Sequence, residues 1–349
     1  MTNFNFNKIR KNKVPYIIAE IGVNHECSMK MAKELILSAK KGGAQAVKFQ
    51  TYKAEKIVKK NSKAYWDLKK EKTKNQYELF SKLDKFDLDD YKKLYQYSKK
   101  IKIDFLSTPF DLESVDFLKS LVPAFKISSS DINNFPLIRK IADTKKPVIL
   151  STGASNIKEI KRAVNILSKN TKKIVIMHCV LNYPTKDVDA NLGMIVDLKK
   201  KFPKFLHGYS DHTLPSYNMI NLTTAFMLGA KVIEKHFTND KKLKGNDHYH
   251  SMDEDDLKTL IKNIKKINQI TGKTISKKVL RCETKSRKFA RRSIVVEKKI
   301  YKNQIITNDN IIALRPNIGI SVDMWDKVIG KRAKKDLKKH HSLSMKDLY

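Results

Sequence analysis

The chain has 349 residues, long enough for a barrel with an appendage and too long for one small domain. Hydrophobic residues make up 41%, enough for a real core, yet no run of about 18 apolar residues occurs, which excludes a membrane-spanning helix. The formal charge of +36, from 72 Lys and Arg against 36 Asp and Glu, raises a nucleic-acid or polyanion partner, but the lysines are spread over the whole chain without interleaved aromatics or a helix-turn-helix, RNP or zinc-finger pattern. A solvated basic surface, with no nucleic acid and no membrane as partner, is therefore expected; such a surface still favours encounter with a small polyanion.

In chain order, the N-terminus MTNFNFNKIRKNK lacks the apolar core and small-residue cleavage site of a secretory signal. Eight short apolar runs follow: 16–22, 46–52, 104–110, 124–130, 147–153, 173–179, 205–212 and 231–238. Between them lie helical stretches such as SMKMAKELILSAKKGG and NIKEIKRAVNILSKN, with apolar residues at three- and four-residue spacing. Strand and helix alternating eight times predicts an α/β fold, a closed (β/α)8 TIM barrel. The segment from about Lys53 to Lys85 reads as a lysine-rich insertion with short helices over the rim. The barrel domain is expected to span 1–270 and a polar linker 271–287. Residues 288–349, which include ARRSIVV from Ala290, read as a small β-rich domain that needs a docking surface. Cys27, Cys179 and Cys282 are too widely spaced for a disulfide framework or a zinc motif, so a reduced, cytoplasmic protein is expected.

Barrel chemistry collects where the strands end. The polar residues there are Glu20 on the first run, Lys48 and Gln50 on the second, and Thr108 on the third. Lys126, Ser128 and Ser129 follow, then Ser151 and Thr152, His178 and Tyr183, His212, and Glu234 with His236. Lysine in an apolar strand is costly without an anion. Two of them beside Ser129 and Ser151 suit a bound phosphate and carboxylate; the plainer reading is a core ion pair, Lys48 with Glu20 or Glu234. His212 and His236, on adjacent strand ends with Glu20 and Asp247 near, point to an open divalent-metal site, Mn2+ or Mg2+ acting as Lewis acid. His248 and His250 of GNDHYHSMD are possible further ligands, though a loop lining a substrate site is the preferred reading.

The motifs AEIGVNH, AVKFQTY, LSTPFD, FKISSSD, LSTG, YSDHT, EKHFT and GNDH, in this order, resemble the sialic acid synthase family. That family condenses phosphoenolpyruvate with an N-acylated hexosamine to give nine-carbon keto-acid sugars. The C-terminal ARRSIVV…LRPNIGI resembles its antifreeze-like (SAF) domain. The resemblance implies that Lys48, Thr108, Lys126, Ser129 and Ser151 hold phosphoenolpyruvate, that Gln50 contacts substrate, and that His212 and His236 hold the metal. It places Glu20, Tyr183, Glu234 and Asp247 near the sugar or the reacting carbons. It also implies a domain-swapped homodimer in which Arg315 reaches the sugar of the other subunit. Lys48 and Lys126 are expected to stabilise the anion's charge, and Glu20 or Glu234 to move the proton. Four positions depart from the family pattern: Cys27 for Gly in NHxG, Leu181 for a polar residue before Tyr183, Asn246 for Pro in GPDH, and Asn317 for Gly in RPGxGI. These concentrate on the sugar side. The competing readings are a Schiff-base aldolase using Lys126 or Lys48 and a polyanion-binding protein.

Overall fold

The computed structural model describes residues 2–245, 247–272 and 276–349; Asn246, one of the four departures, lies outside them. The chain forms two compact units, Met1–Thr271 and Gly272–Tyr349.

The first unit is a nearly closed barrel of eight parallel strands: β1 (Tyr16–Gly22), β2 (Ala46–Thr51), β3 (Asp104–Pro109), β4 (Phe125–Ile127), β5 (Val148–Ser151), β6 (Ile174–Cys179), β7 (Leu206–Asp211) and β8 (Val232–His236). The ladder runs β3-β2-β1-β8-β7-β6-β5-β4, and β3 and β4 stand side by side at the seam without ladder hydrogen bonds. Nearly every strand residue is buried, because a barrel strand faces a packed interior on one side and helices on the other. That is why the sequence shows continuous apolar runs instead of alternation.

Local signals set the helices. Ser28 caps Met29–Gly42, which stops at Gly43 in the left-handed region (φ 99°). Asn156 with Glu159, and Asp253 with Asp256, form capping boxes on Ile157–Ser168 and Glu254–Ile270. The insertion after β2 carries the helices Ala54–Ile57 and Gln76–Leu83, pinned by buried Trp66, whose indole donates to the Thr73 carbonyl at 3.0 Å. An N-terminal helix, Phe6–Lys11, has no counterpart in the periodicity reading. It closes the end opposite the mouth: the Phe4 amide and the Tyr16 hydroxyl both donate to Asp104, the first residue of β3, at 2.6 and 2.7 Å.

In the second unit β9 (Ser293–Val296) pairs antiparallel with β10 (Ile311–Leu314). Isolated bridges and turns complete a small core that includes Ile294, Val296, Ile300, Ile306 and Leu343. The stretch that reads as a linker carries a short helix, Thr284–Ala290, with no buried residue.

Candidate active site

Strand register decides which side chains meet at the mouth. Glu20 pairs with Lys48 across β1–β2 and with His236 across β1–β8, and Gln50 pairs with Thr108 across β2–β3. Alternate residues of a strand share a face, so Glu234 and His236 look inward together, as do Lys48 and Gln50. One cavity is lined by Glu20, Lys48, Gln50, Thr108, Lys126, Ser129, Ser151, Tyr183, His212, Glu234 and His236. The nominated strand residues thus meet in one place, except His178 of β6, which does not line the cavity: its ring stacks on Tyr209 at 5.6 Å and its Nε2 lies 2.8 Å from the Ala190 carbonyl. Asp247, on the loop after β8, reaches the same place with its carboxylate 3.5 Å from His236 Nδ1. Arg315 lies in the other unit, directly after β10.

The centre is a buried quartet of alternating charge. Lys48 is ion-paired with Glu20 and lies 4.0 Å from Glu234, while Lys126 lies 3.2 Å from Glu234. Thr108 accepts a hydrogen bond from Lys48 at 3.0 Å, Gln50 donates to Glu20 at 3.1 Å, and Ser210 donates to Glu234 at 3.2 Å. The plain ion-pair reading of the lysines therefore holds, yet the pairs line a cavity instead of a sealed core. Ser151 Oγ is buried and has no hydrogen-bond partner among the described residues, as is true of Glu234 Oε2. A buried hydroxyl in that state is a donor available to a ligand in the cavity that both lysines also line.

The two glutamates are not equivalent. Burial pushes Glu20 up from the usual 4.5 to about 7; Lys48 pulls against this and Glu234 adds to it. Burial also opposes ionisation of Glu234, but Lys126 and Lys48 together outweigh it and hold this carboxyl below the usual range. Asp247 is pushed up to about 6 by burial, with His212 and Lys48 acting against it.

Beside the quartet, Tyr183 is ringed by imidazoles. Its ring centroid is 4.1 Å from that of His212, 6.1 Å from His236 and 5.6 Å from His250. His212 and His236 are 5.7 Å apart by centroids. Nδ1 of His212 donates to the Val180 carbonyl at 2.8 Å, so in the neutral ring Nε2 carries the lone pair that a metal ligand needs. The carboxylate of Asp247 is close to His236, and that imidazole–carboxylate pair suits a divalent cation, with the His212 ring in the same cavity. Sequence reasoning gave no role to Cys179 and Ser210, which also line the cavity, and it named His250 with His248 as possible ligands or parts of a substrate loop; His250 is the one found beside His236. The first two carry no pattern of their own, and His250 was indistinguishable from His248. Leu181 lines the cavity as well, an apolar wall on the Tyr183 side.

The NeuB family model matches residues 35–276, and the SAF domain model matches 291–348. The chain is 42% identical to the N,N'-diacetyllegionaminic acid synthase of Campylobacter jejuni, covering 93% of this chain and 98% of that one. It is 36% identical to the pseudaminic acid synthase of Helicobacter pylori over 96% and 98% of the two chains. Among solved structures, the N-acetylneuraminic acid synthetase of Leptospira borgpetersenii superposes with a TM-score of 0.68 at 33% identity, covering 78% of this chain and 90% of that chain. The protein is a member of the NeuB family, a TIM barrel followed by an SAF domain.

Proposed function

We propose that this chain condenses phosphoenolpyruvate with an N-acylated hexosamine, N-acetylmannosamine or a related diacetamido sugar, to give a sialic-type nonulosonic acid and phosphate. The observation that carries this reading is the Lys48–Glu20–Lys126–Glu234 quartet opening onto the same cavity as the His212–His236 pair. Relatives named for legionaminic and pseudaminic acid synthesis, together with the apolar Leu181, favour the diacetamido sugar.

Lys48 and Lys126 bind the phosphate and carboxylate of the enol ester, and Thr108, Ser129 and Ser151 donate to their oxygens. A divalent cation held by His212 and His236 supplies Lewis acidity to the sugar's carbonyl oxygen. Tyr183, Leu181 and Gln50 seat the open-chain sugar so that its aldehyde carbon faces C3 of the enol ester. A C–C bond forms between those two carbons, water adds at C2, and the C2–O bond to phosphate breaks. Glu20, whose pKa is raised to about 7 and which is therefore protonated in part near neutrality, delivers its proton to the new alkoxide and is reprotonated by the water that adds at C2, whose second proton leaves with the phosphate. Glu234 stays ionised between the lysines and fixes their spacing. Arg315, from the C-terminal unit of a second copy in a domain-swapped dimer, reaches the sugar.

Each lysine is engaged by a carboxylate, an arrangement that suits charge binding over a nucleophilic amine; borohydride with a carbonyl substrate is expected to trap no adduct. The deciding assay incubates the protein with phosphoenolpyruvate, Mn2+ and a panel of hexosamines, follows phosphate and weighs the product. The variant His212→Ala with His236→Ala is expected to lose Mn2+-dependent phosphate release. Full activity in that variant ends the assignment.

A further inference from the structure

His248 and His250 sit two residues apart, yet the fold treats them differently. Both nitrogens of His248 are engaged, Nδ1 2.8 Å from Thr238 Oγ1 and Nε2 3.2 Å from Glu26 Oε1. His250 is wholly buried, with its ring centroid 5.0 Å from that of His236. One donor atom from each of His236, Asp247 and His250 lies within 4.8 Å of the other two, close enough for one ion to touch all three. Two imidazoles and a carboxylate on one side of an ion is a common set for divalent first-row metals with open positions.

We propose that His250 is a further nitrogen ligand of this chain's cation, joining His236 and Asp247, with the ring of His212 5.7 Å from that of His236 by centroids. The inference rests on the metal-dependent reading of the site but concerns which ion the site selects. Mg2+ prefers oxygen donors and keeps several waters, so a site built on the imidazoles of His236 and His250 binds it poorly. Each added imidazole moves the preference along the series Mn2+, Fe2+, Co2+. The site is therefore a nitrogen-rich one that discriminates against Mg2+.

The test uses the full-length protein stripped of metal, titrated with Co2+ and followed by visible absorption, without substrates. The wild-type protein is expected to develop a ligand-field spectrum that Mn2+ reduces by competition and that a large excess of Mg2+ leaves unchanged. His250→Ala is expected to weaken Co2+ binding by at least about tenfold, the lower end of what even indirect partners of a ligand contribute, and to alter the spectrum. His250→Gln, which keeps bulk at the buried position, is expected to behave in the same way, and a melt of each metal-free variant reports its folding. Unchanged Co2+ affinity and spectrum in whichever variant folds, or displacement of Co2+ by Mg2+ at comparable concentration, overturns the proposal. Phosphate release is a separate readout: turnover with a dispensable His250 sinks only this inference. Absence of turnover with a Co2+ site that needs His250 sinks only the proposed reaction.

Discussion

Nζ of Lys235 lies 2.7 Å from Oδ2 of Asp211, a wholly buried ion pair joining β8 to β7 at the register position just before His236 and His212. Lys235 also donates to the Thr213 carbonyl at 2.6 Å, and Asp211 accepts from the Tyr209 hydroxyl at 2.8 Å and the Thr213 amide at 2.9 Å. Burial opposes the charge on Asp211, but Lys235 and these donors outweigh it and hold its pKa low. Lys235→Met strands a buried carboxylate. It is expected to destabilise the protein by about 3–5 kcal/mol, read by denaturant unfolding; a loss under about 1 kcal/mol contradicts the account.

Lys126→Met removes one arm of the anion site and leaves Glu234 with the more distant Lys48. The KM for phosphoenolpyruvate is expected to rise by about 10- to 100-fold, which corresponds to losing a charge-assisted hydrogen bond of about 1.5–3 kcal/mol. The KM for the sugar should stay near its wild-type value in the same steady-state assay. A rise confined to the sugar places Lys126 elsewhere.

Glu20 acting as a proton donor is active while protonated, so the rate is expected to fall as the pH rises through about 7. Glu20→Gln keeps the hydrogen-bonding shape but cannot give up a proton. Its kcat should drop by roughly 10²–10⁴-fold, and the remaining activity should lack the descending limb. A pH profile identical to that of the wild type removes Glu20 from this role.

In the C-terminal unit, Asp347 accepts from His341 at 2.9 Å and lies 2.9 Å from Lys335. Burial works against its charge, but His341, Lys335 and Ser344 outweigh that and hold its carboxyl well below the usual range. A depressed carboxyl stabilises the fold fully above its unfolded pKa of about 3.9 and loses that contribution as the pH falls further. Asp347→Asn is expected to speed hydrogen exchange at Ile294, Val296 and Ile311 at pH 7. The gap from the wild type should narrow under acid; a gap that is constant with pH counts against the ion-pair account.

The barrel was readable in the sequence because each strand is buried on both faces and so shows as an unbroken apolar run. Where that condition fails, the reading blurs: the run 124–130 yields only Phe125–Ile127 as strand, and its serines turn into a 3-10 turn, Ser129–Asp131, that points hydroxyls at the cavity. The helix Phe6–Lys11 was missed because Phe4, Phe6 and Ile9 are buried by the barrel's floor instead of by a helical stripe long enough to register. The inward residues of the site followed from period two on short strands. Lys235 and Asp211 were passed over because they face outward, where a charge next to a motif histidine reads as solvated. Cys27, which stands where the family pattern has Gly, adopts φ 58°, the left-handed region that glycine occupies without strain. The position keeps the turn although the residue has changed.

The alternating quartet has a further thermodynamic consequence: with both carboxyls ionised, two ammonium groups and two carboxylates leave the proposed anion pocket nearly neutral before any ester arrives. A polyanion entering such a pocket is best balanced if one carboxyl takes up a proton from solution, and Glu20 is the one whose affinity for it is already high. Calorimetry in buffers of differing ionisation heat should therefore show apparent enthalpies that diverge with the buffer, and affinity for phosphoenolpyruvate should weaken in mild alkali. Loading this barrel and titrating it become one coupled event.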